Sequence, residues 1–123
     1  MTLVLYVDDD AMSLKLLEKT SLLLGYEVLI CPSPKRSIAL ACEKQPNVIV
    51  VDMNMHEMDG VTLIRALRNQ ADTRHIPVLV LSATETAVGQ PSSMAAGANG
   101  YLSKPVDFDE LSQAIDRVLA MQK

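Results

Sequence analysis

The chain has few cysteines, no excess of basic charge and no long apolar run. Cys31 and Cys42 are the only cysteines among 123 residues, and they show no metal-ligand spacing. We therefore expect no disulfide framework, but two reduced thiols in a cytoplasmic protein. The formal net charge of −4 argues against sequence-independent binding to DNA or RNA, which needs a basic surface. No apolar run approaches the roughly 20 residues that span a bilayer, so we expect no membrane segment.

What the chain does contain is enough apolar sequence for a compact core. Hydrophobic residues make up 49% of it, and its length is that of one domain. No linker, repeat or low-complexity tract divides it, so we predict a single domain over residues 1–123. The first residues lack a basic start and run straight into acidic residues, which favours a first strand over a signal peptide.

Short apolar runs alternate with longer amphipathic stretches. The runs are Leu3–Val7, Val28–Cys31, Val48–Val51, Val78–Leu81 and Tyr101–Leu102. Most are continuous and rich in β-branched residues, as in strands that are buried on both faces of a parallel sheet. Each is followed by a helical pattern. The sequence therefore predicts an α/β fold, with a parallel sheet covered by helices on both faces.

The sequence predicts a helix more clearly in the first helical segment than in the fourth. The first has an apolar face that consists of Leu16, Leu17, Thr20, Leu23 and Leu24, and Gly25 follows it as a C-terminal stop. The fourth contains a glycine and a proline, so we expect only a short helix, starting at Pro91, with a loosened N-terminal side.

Three other helices have recognisable starts. Ser33–Pro34 suits an N-cap followed by proline at the first helical position. The third helix is predicted to begin near Asp59–Gly60. In the last helix, Asp107 and Glu110 suit a capping box. Its apolar stripe consists of Leu111, Ala114, Ile115, Val118 and Leu119.

Residues that can do chemistry follow four of the five strands. In chain order they are Asp8, Asp9 and Asp10, then Asp52, then Ser82, then Lys104. Sites in open α/β sheets form at the carboxyl ends of the strands, so we expect these side chains to meet. Asp8 to Asp10 could instead be acids that favour the start of the first helix, and we assign Asp10 to capping or to a supporting position.

Such a set suits phosphoryl transfer to a carboxylate. Clustered carboxylates repel one another unless a cation joins them, and Mg²⁺ prefers oxygen ligands. Lys104 supplies a positive charge and Ser82 a hydroxyl donor for phosphoryl oxygens. Phosphoryl transfer needs little beyond positioning and charge neutralisation, and the Asp52 carboxylate needs no base to be nucleophilic.

With these residues identified, the sequence resembles the receiver domain of two-component response regulators, of the chemotaxis-regulator type. The resemblance covers essentially the whole chain. The matching segments are Val7–Asp10, Val51–Met55, Met58–Gly60, Leu81–Ala83 and Lys104–Pro105. It implies a flavodoxin-like sheet of five parallel strands in the order 2-1-3-4-5 with five helices, and a cis peptide bond at Lys104–Pro105.

The resemblance also implies a metal site and a phospho-acceptor. Asp52 would accept a phosphoryl group from a phosphohistidine on a sensor histidine kinase or a histidine phosphotransfer protein. Asp9 would ligate Mg²⁺ directly, and Asp8 would assist mainly through water. The Asp52 carboxylate and the backbone carbonyl of Asn54 would complete the protein ligands. Mn²⁺ is an alternative ion.

The remaining roles concern the response to phosphorylation. Lys104 would bind a phosphoryl oxygen, and Ser82 would move to meet the phosphoryl group. Tyr101 falls at the position of a switch aromatic, which turns inward on activation, although it could simply fill a gap in the sheet. The last two helices and the fifth strand would form the surface that changes. The sequence does not reveal the output target or the kinase. It could also be the N-terminal part of a longer regulator.

Two residues depart from the family pattern. His56 stands where the loop after the phosphorylation site commonly has proline, which suggests a more mobile loop. Pro91 leaves the shape of the fourth helix, and so of the output surface, open. Neither is expected to alter the core chemistry.

Two other functions compete with a signalling switch. Asp8 and Asp10 form an Asp-x-Asp pair, as in haloacid-dehalogenase-type phosphatases, where the first aspartate is the nucleophile and the second the acid or base. Ala11–Met12 does not continue that motif well, and the chain lacks a cap domain. The other competing function is that of an interaction module that keeps the fold but does not use phosphorylation. We favour a switch, not an enzyme.

Overall fold

The fold is a parallel sheet with helices on both faces, as predicted. The computed structural model describes residues 2–53, 55–82 and 92–121. The strands are β1 (Leu3–Val7), β2 (Glu27–Cys31), β3 (Val48–Asp52), β4 (Val78–Ser82) and β5 (Gly100–Ser103). The helices are α1 (Ala11–Leu23), α2 (Pro34–Lys44), α3 (Gly60–Arg68), α4, of which residues 92–96 are described, and α5 (Phe108–Ala120). Pro91, the expected start of α4, lies outside the described residues.

All strand pairs are parallel, and the strand order is β2-β1-β3-β4-β5, which confirms the predicted topology. β3 and β4 are buried at every residue because they lie in the interior of the sheet with helices above and below. This explains why their sequences are continuous apolar runs instead of alternating ones. No helix in the described part of the chain is both long enough and apolar enough to cross a membrane.

Two hydrophobic layers hold the helices to the sheet. On one face, Leu63, Ile64 and Leu67 of α3 pack with Ala41 of α2 against the strands. On the other face lie the buried apolar residues of α1 and α5, namely Leu14, Leu17, Leu111, Ala114, Ile115 and Val118. The stripe predicted for α5 is therefore confirmed. Each fully buried leucine or isoleucine stabilises the fold by about 1.5–3 kcal/mol relative to an exposed one.

The predicted core face of α1 was wrong in part. Leu17 is buried, but Leu16 is 58% exposed and Leu23 is 84% exposed. The buried residues of α1 are Leu14, Leu17 and Ser21. Leucines occur on every side of this helix, so their spacing alone does not select the face that packs.

A buried polar pair accompanies this orientation of α1. The Tyr6 hydroxyl in β1 and the Ser21 hydroxyl in α1 are hydrogen-bonded at 2.5 Å, and both residues are fully buried. Burial raises the pKa of Tyr6 to about 12, so the phenol stays neutral at ordinary pH. A hydroxyl buried here without its partner would cost free energy, so the pair favours the rotation of α1 that brings Ser21 inward.

The predicted helix ends that fall on described residues are confirmed. Gly25 has a φ of 93° and follows the C-cap of α1, where a left-handed residue closes the helix. Ser33 caps α2 and precedes Pro34. Asp59 caps α3 by accepting from the backbone N–H of Thr62. Asp107 caps α5 and accepts from the N–H groups of residues 109 and 110, which supplies the N-cap contact of the predicted capping box.

Arg68 joins three segments near the amino ends of β4 and β5. Its guanidinium donates to the carbonyls of Arg74, Ile76 and Gly97 and to Oδ1 of Asn99, at 2.6–3.0 Å. Asn99 Oδ1 also accepts from the N–H of Val78. One planar cation thus ties the end of α3 to the segments that lead into β4 and β5.

Candidate functional site

Three carboxylates meet at the carboxyl ends of β1 and β3. These strands are neighbours, with Val7 opposite Val51, so the residues that follow them are adjacent. Carboxylate oxygens of Asp8, Asp9 and Asp52 lie within 4.8 Å of one another. Asp8 and Asp52 are buried, and Asp9 is half-buried. The structure therefore brings together the three acids that the sequence predicted to meet.

Lys104 completes the group from the end of β5. Its Nζ donates to Asp52 Oδ1 at 2.9 Å and lies 3.9 Å from Asp8 Oδ2. The Lys104 backbone N–H donates to the carbonyl of Ser82 at 2.8 Å, which holds the segment against the end of β4. The Lys104–Pro105 peptide bond is cis, as the resemblance implies.

Asp8 is a buried acid whose surroundings act against its charged form. Its pKa is raised to about 6, first by burial and then by the charge of Asp52, while the backbone N–H of Asp10 and the charge of Lys104 oppose the rise. Asp10 N–H donates to Asp8 Oδ1 at 2.9 Å. Asp8 Oδ2 is buried and accepts no hydrogen bond from the residues described. Among the described residues, the three clustered carboxylates have one ammonium beside them, which contacts Asp52 and Asp8. A hard cation with oxygen ligands therefore fits this group electrostatically.

The Asp10 carboxylate is not one of the three clustered carboxylates, but caps α1. Its carboxylate accepts from the Ser13 hydroxyl at 2.7 Å and from the Met12 N–H at 3.3 Å. These two hydrogen bonds, the Ser13 contact first, lower the pKa of Asp10. The capping role assigned to Asp10 from the sequence is confirmed.

The other predicted residues sit on β4 and β5 or between β3 and α3. Ser82 is buried at the end of β4, one residue beyond Leu81, which lies opposite Asp52 in the sheet. Tyr101 lies opposite Val80 and packs, partly buried, against the core beneath α2 and α3. Asn54, whose carbonyl was predicted as a metal ligand, lies outside the described residues.

The segment between β3 and α3 makes contacts that sequence reasoning missed. The His56 N–H donates to Asp9 Oδ2 at 2.8 Å. The Glu57 carboxylate accepts from the Ser33 hydroxyl at 2.8 Å and from the Lys35 N–H at 3.1 Å, at the start of α2. The sequence did carry one relevant signal, because a histidine in place of proline supplies a backbone N–H.

A cavity of about 220 Å³ adjoins the site on the side of α1. Its lining consists of Asp8, Ser13, Leu16, Leu17, Leu81, Lys104, Pro105, Val106 and Phe108. Most of these side chains are apolar, whereas Asp8 and Lys104 are shared with the carboxylate cluster. The cluster of Asp8, Asp9, Asp52 and Lys104 therefore borders a mostly apolar cavity on the side of α1.

Comparison with known proteins identifies the family. Residues 4–116 match the response regulator receiver domain. The transcriptional regulatory protein PrrA of Mycobacterium tuberculosis is 38% identical over 116 residues, which are 94% of this chain and 49% of that protein. The chain thus spans about half the length of this relative.

Solved structures agree over nearly the full length. The chemotaxis protein CheY4 of Vibrio cholerae has a TM-score of 0.90 and 30% identity, covering 96% of this chain and 98% of that chain. The receiver domain of the sensor histidine kinase PA1611 from Pseudomonas aeruginosa, solved with a magnesium ion coordinated in its active site cleft, has a TM-score of 0.89 and 25% identity. That match covers 97% of this chain and 98% of that chain. The chain therefore belongs to the response regulator receiver domains of two-component systems.

Proposed function

We propose that this domain is a phosphorylation-controlled switch in which Asp52 accepts a phosphoryl group from a phosphohistidine. The observation that carries the proposal is the contact of Lys104 Nζ with Asp52 Oδ1 at 2.9 Å, beside the clustered carboxylates of Asp8 and Asp9. A buried carboxylate paired with one cation and flanked by two further acids suits a nucleophile that works beside a metal.

The chemistry that follows is a simple exchange of bonds. A carboxylate oxygen of Asp52 forms the bond to phosphorus while the bond from phosphorus to the donor's imidazole nitrogen breaks, and its electron pair leaves with the nitrogen. Lys104 neutralises charge on a phosphoryl oxygen, and the Ser82 hydroxyl donates to another. No residue has to act as a base, because the aspartate is nucleophilic when ionised.

We assign the metal ligands to Asp8, Asp9, Asp52 and the backbone carbonyl of Asn54. Asp8 Oδ2, buried and without a hydrogen-bond donor among the described residues, supports this assignment. When bound, Mg²⁺ would neutralise the repulsion between the carboxylates and the incoming phosphoryl oxygens. Mn²⁺ has the same preference for oxygen ligands and could replace it.

The phosphatase alternative finds less support in the geometry. It requires Asp10 as the acid or base, but the Asp10 carboxylate caps α1 through Met12 and Ser13, and these contacts lower its pKa. A carboxyl group with a lowered pKa is a poor proton donor near neutral pH.

We infer that the signal leaves through the surface formed by α4, β5 and α5. Ser82 ends β4 and Tyr101 lies in the neighbouring β5, so a group that draws Ser82 inward acts next to the strand that carries Tyr101. An added phosphoryl group brings about −1.5 to −2 charges to Asp52, enough to bias a two-state element nearby.

The donor would be a sensor histidine kinase or a histidine phosphotransfer protein in the cytoplasm, and the output target stays open. The net charge of −4 argues against direct nucleic-acid binding by this domain. An interaction module that does not use phosphorylation is the remaining alternative, and phosphate incorporation separates the two.

The test is incubation with acetyl phosphate and Mg²⁺, followed by intact-mass measurement and borohydride reduction to map the modified residue. We expect one phosphoryl group on the unmodified chain and none on Asp52→Asn. Asp59→Asn is the matched control, because asparagine keeps the helix cap and the residue lies outside the cluster. Labelling that persists in Asp52→Asn would favour an Asp8 nucleophile, and no labelling of the unmodified chain would favour the interaction module.

A further inference from the structure

We propose that the backbone N–H of His56 positions the Asp9 carboxylate for the metal, an inference that rests on the proposed function. The N–H donates to Asp9 Oδ2 at 2.8 Å and so joins two loops that are 47 residues apart in the chain. The acceptor is a carboxylate, which makes this a charge-assisted hydrogen bond of the stronger kind.

The contact depends on the identity of residue 56. A proline there, as is common in the resembled family, has no backbone N–H and could not donate. The imidazole is not required, since any residue except proline supplies the same donor. The predicted effect of this departure was a looser loop, but the structure shows that it adds a hydrogen bond to the site.

The residues on both sides of His56 are anchored independently. Met55 is buried in the core beneath α2 and α3. Glu57 accepts from Ser33 and Lys35 at the start of α2. The direction of the His56 N–H is therefore set from both sides, and the N–H in turn orients Asp9.

Orientation of Asp9 matters because carboxylates that ligate metals are usually held by hydrogen bonds to their surroundings. Loss of such a supporting contact typically weakens metal affinity by about 10- to 100-fold. The N–H also places a partial positive charge beside three mutually repelling acids. Both effects favour an Asp9 carboxylate that is already correctly oriented before a cation arrives.

The experiment compares Mg²⁺ affinity in the unmodified domain, His56→Ala and His56→Pro by titration calorimetry. Alanine keeps the N–H and removes the imidazole, whereas proline removes the N–H. We expect His56→Ala to bind like the unmodified domain and His56→Pro to bind about tenfold more weakly. Equal affinities in the two variants would overturn the inference and leave the proposed function standing, whereas no Mg²⁺ binding by the unmodified domain would overturn both.

A second measurement uses no proline and no metal. Amide hydrogen exchange at His56 is followed by NMR in the unmodified domain and in Asp9→Ala, with chelator present. We expect the His56 amide to exchange at least tenfold faster in Asp9→Ala while the core of the sheet is unchanged. An unchanged rate at His56 would show that the hydrogen bond is absent and would refute the inference even where His56→Pro does not fold.

Discussion

Lys104 Nζ donates to Asp52 Oδ1 at 2.9 Å and lies 3.9 Å from Asp8 Oδ2. The ammonium of Lys104, at the end of β5, thus lies beside carboxylates at the ends of both β1 and β3. It is about 1 Å closer to Asp52, so its neutralising effect is strongest at the residue that we propose as the phospho-acceptor. Asp8 receives less of it, which agrees with the raised pKa of Asp8.

Removing this cation should raise the pKa of Asp8 further. In Lys104→Met we expect the Asp8 carboxyl to titrate above its present value of about 6, because the charge of Lys104 lowers it. In Asp52→Asn we expect the opposite shift, because the charge of Asp52 raises it. Carbon-13 NMR of the carboxyl groups measures both, and shifts in the same direction would contradict this account. Both titrations are run with chelator.

Replacing Lys104 should also affect signalling more than folding. Lys104→Ala is expected to fold, since Lys104 is not part of either hydrophobic layer. It should lose the spectral changes at Tyr101 and α5 that follow phosphorylation of the unmodified domain. Thermal unfolding and amide NMR before and after phosphorylation check this, and a variant that unfolds or switches normally would refute it.

The raised pKa of Asp8 predicts a pH dependence of stability in the metal-free domain. The folded state holds the proton up to about pH 6, whereas an ordinary aspartate releases it near 3.8. Folded molecules therefore bind more protons between these values, and the free energy of unfolding should fall as pH rises from about 4 to 6 through this group. Above that range the Asp8 charge should cost stability by a constant amount.

Asp8→Asn should remove this contribution. At about pH 7.5 we expect it to raise the free energy of unfolding by about 1–3 kcal/mol, because a buried charge without a full set of partners is replaced by a neutral amide. At about pH 4 the gain should shrink, since Asp8 is then protonated. Urea unfolding at both pH values with chelator tests this, and an equal gain at both would argue against the mechanism.

The hydrogen bond between Tyr6 and Ser21 should appear as coupling in a double-mutant cycle. Tyr6→Phe and Ser21→Ala should each lower the free energy of unfolding by about 1–3 kcal/mol, because each leaves a buried hydroxyl without its partner. The double variant should lose less than the sum of the two, by about 0.5–3 kcal/mol. Additive losses would mean that the pair contributes nothing as a pair.

Arg68 should not be replaceable by lysine. Lysine cannot reproduce the planar set of hydrogen bonds to the carbonyls of Ile76 and Gly97 and to Asn99. We expect Arg68→Lys to lower the free energy of unfolding by about 1–3 kcal/mol, close to the loss in Arg68→Ala. Arg65→Lys, on the exposed side of the same helix, is the control and should change it little. Full rescue by lysine would mean that charge alone matters.

The strands and the site were predictable for the same reason. Most strands are continuous apolar runs, and each site residue stands at or directly after the carboxyl end of a strand. The parallel order of the sheet therefore brings Asp8, Asp52 and Lys104 together. Helix caps such as Ser33 and Asp59 could also be predicted, because the residue that caps a helix lies next to that helix in the sequence.

Other features could not be predicted because they depend on partners that leave no sequence pattern. The packing face of α1 follows Ser21 and its bond to Tyr6, whereas leucines surround the helix. Arg68 binds mainly backbone carbonyls, which every residue has. The His56 contact depends on the path of its loop and on a backbone N–H, which only the absence of proline could suggest.

The anchoring of Glu57 has a consequence for the length of the connection between β3 and α3. Loops on a protein surface usually tolerate added or deleted residues. Three consecutive residues of this loop are anchored to different places. Met55 is buried in the core, the His56 N–H donates to Asp9, and Glu57 accepts from Ser33 at the start of α2. A single glycine inserted between any two of these residues would change their spacing, so that they could no longer make all three contacts at once. The connection therefore behaves as a fixed-length spacer, and a graft of this segment onto another receiver would need Ser33 and Asp9 to accompany it.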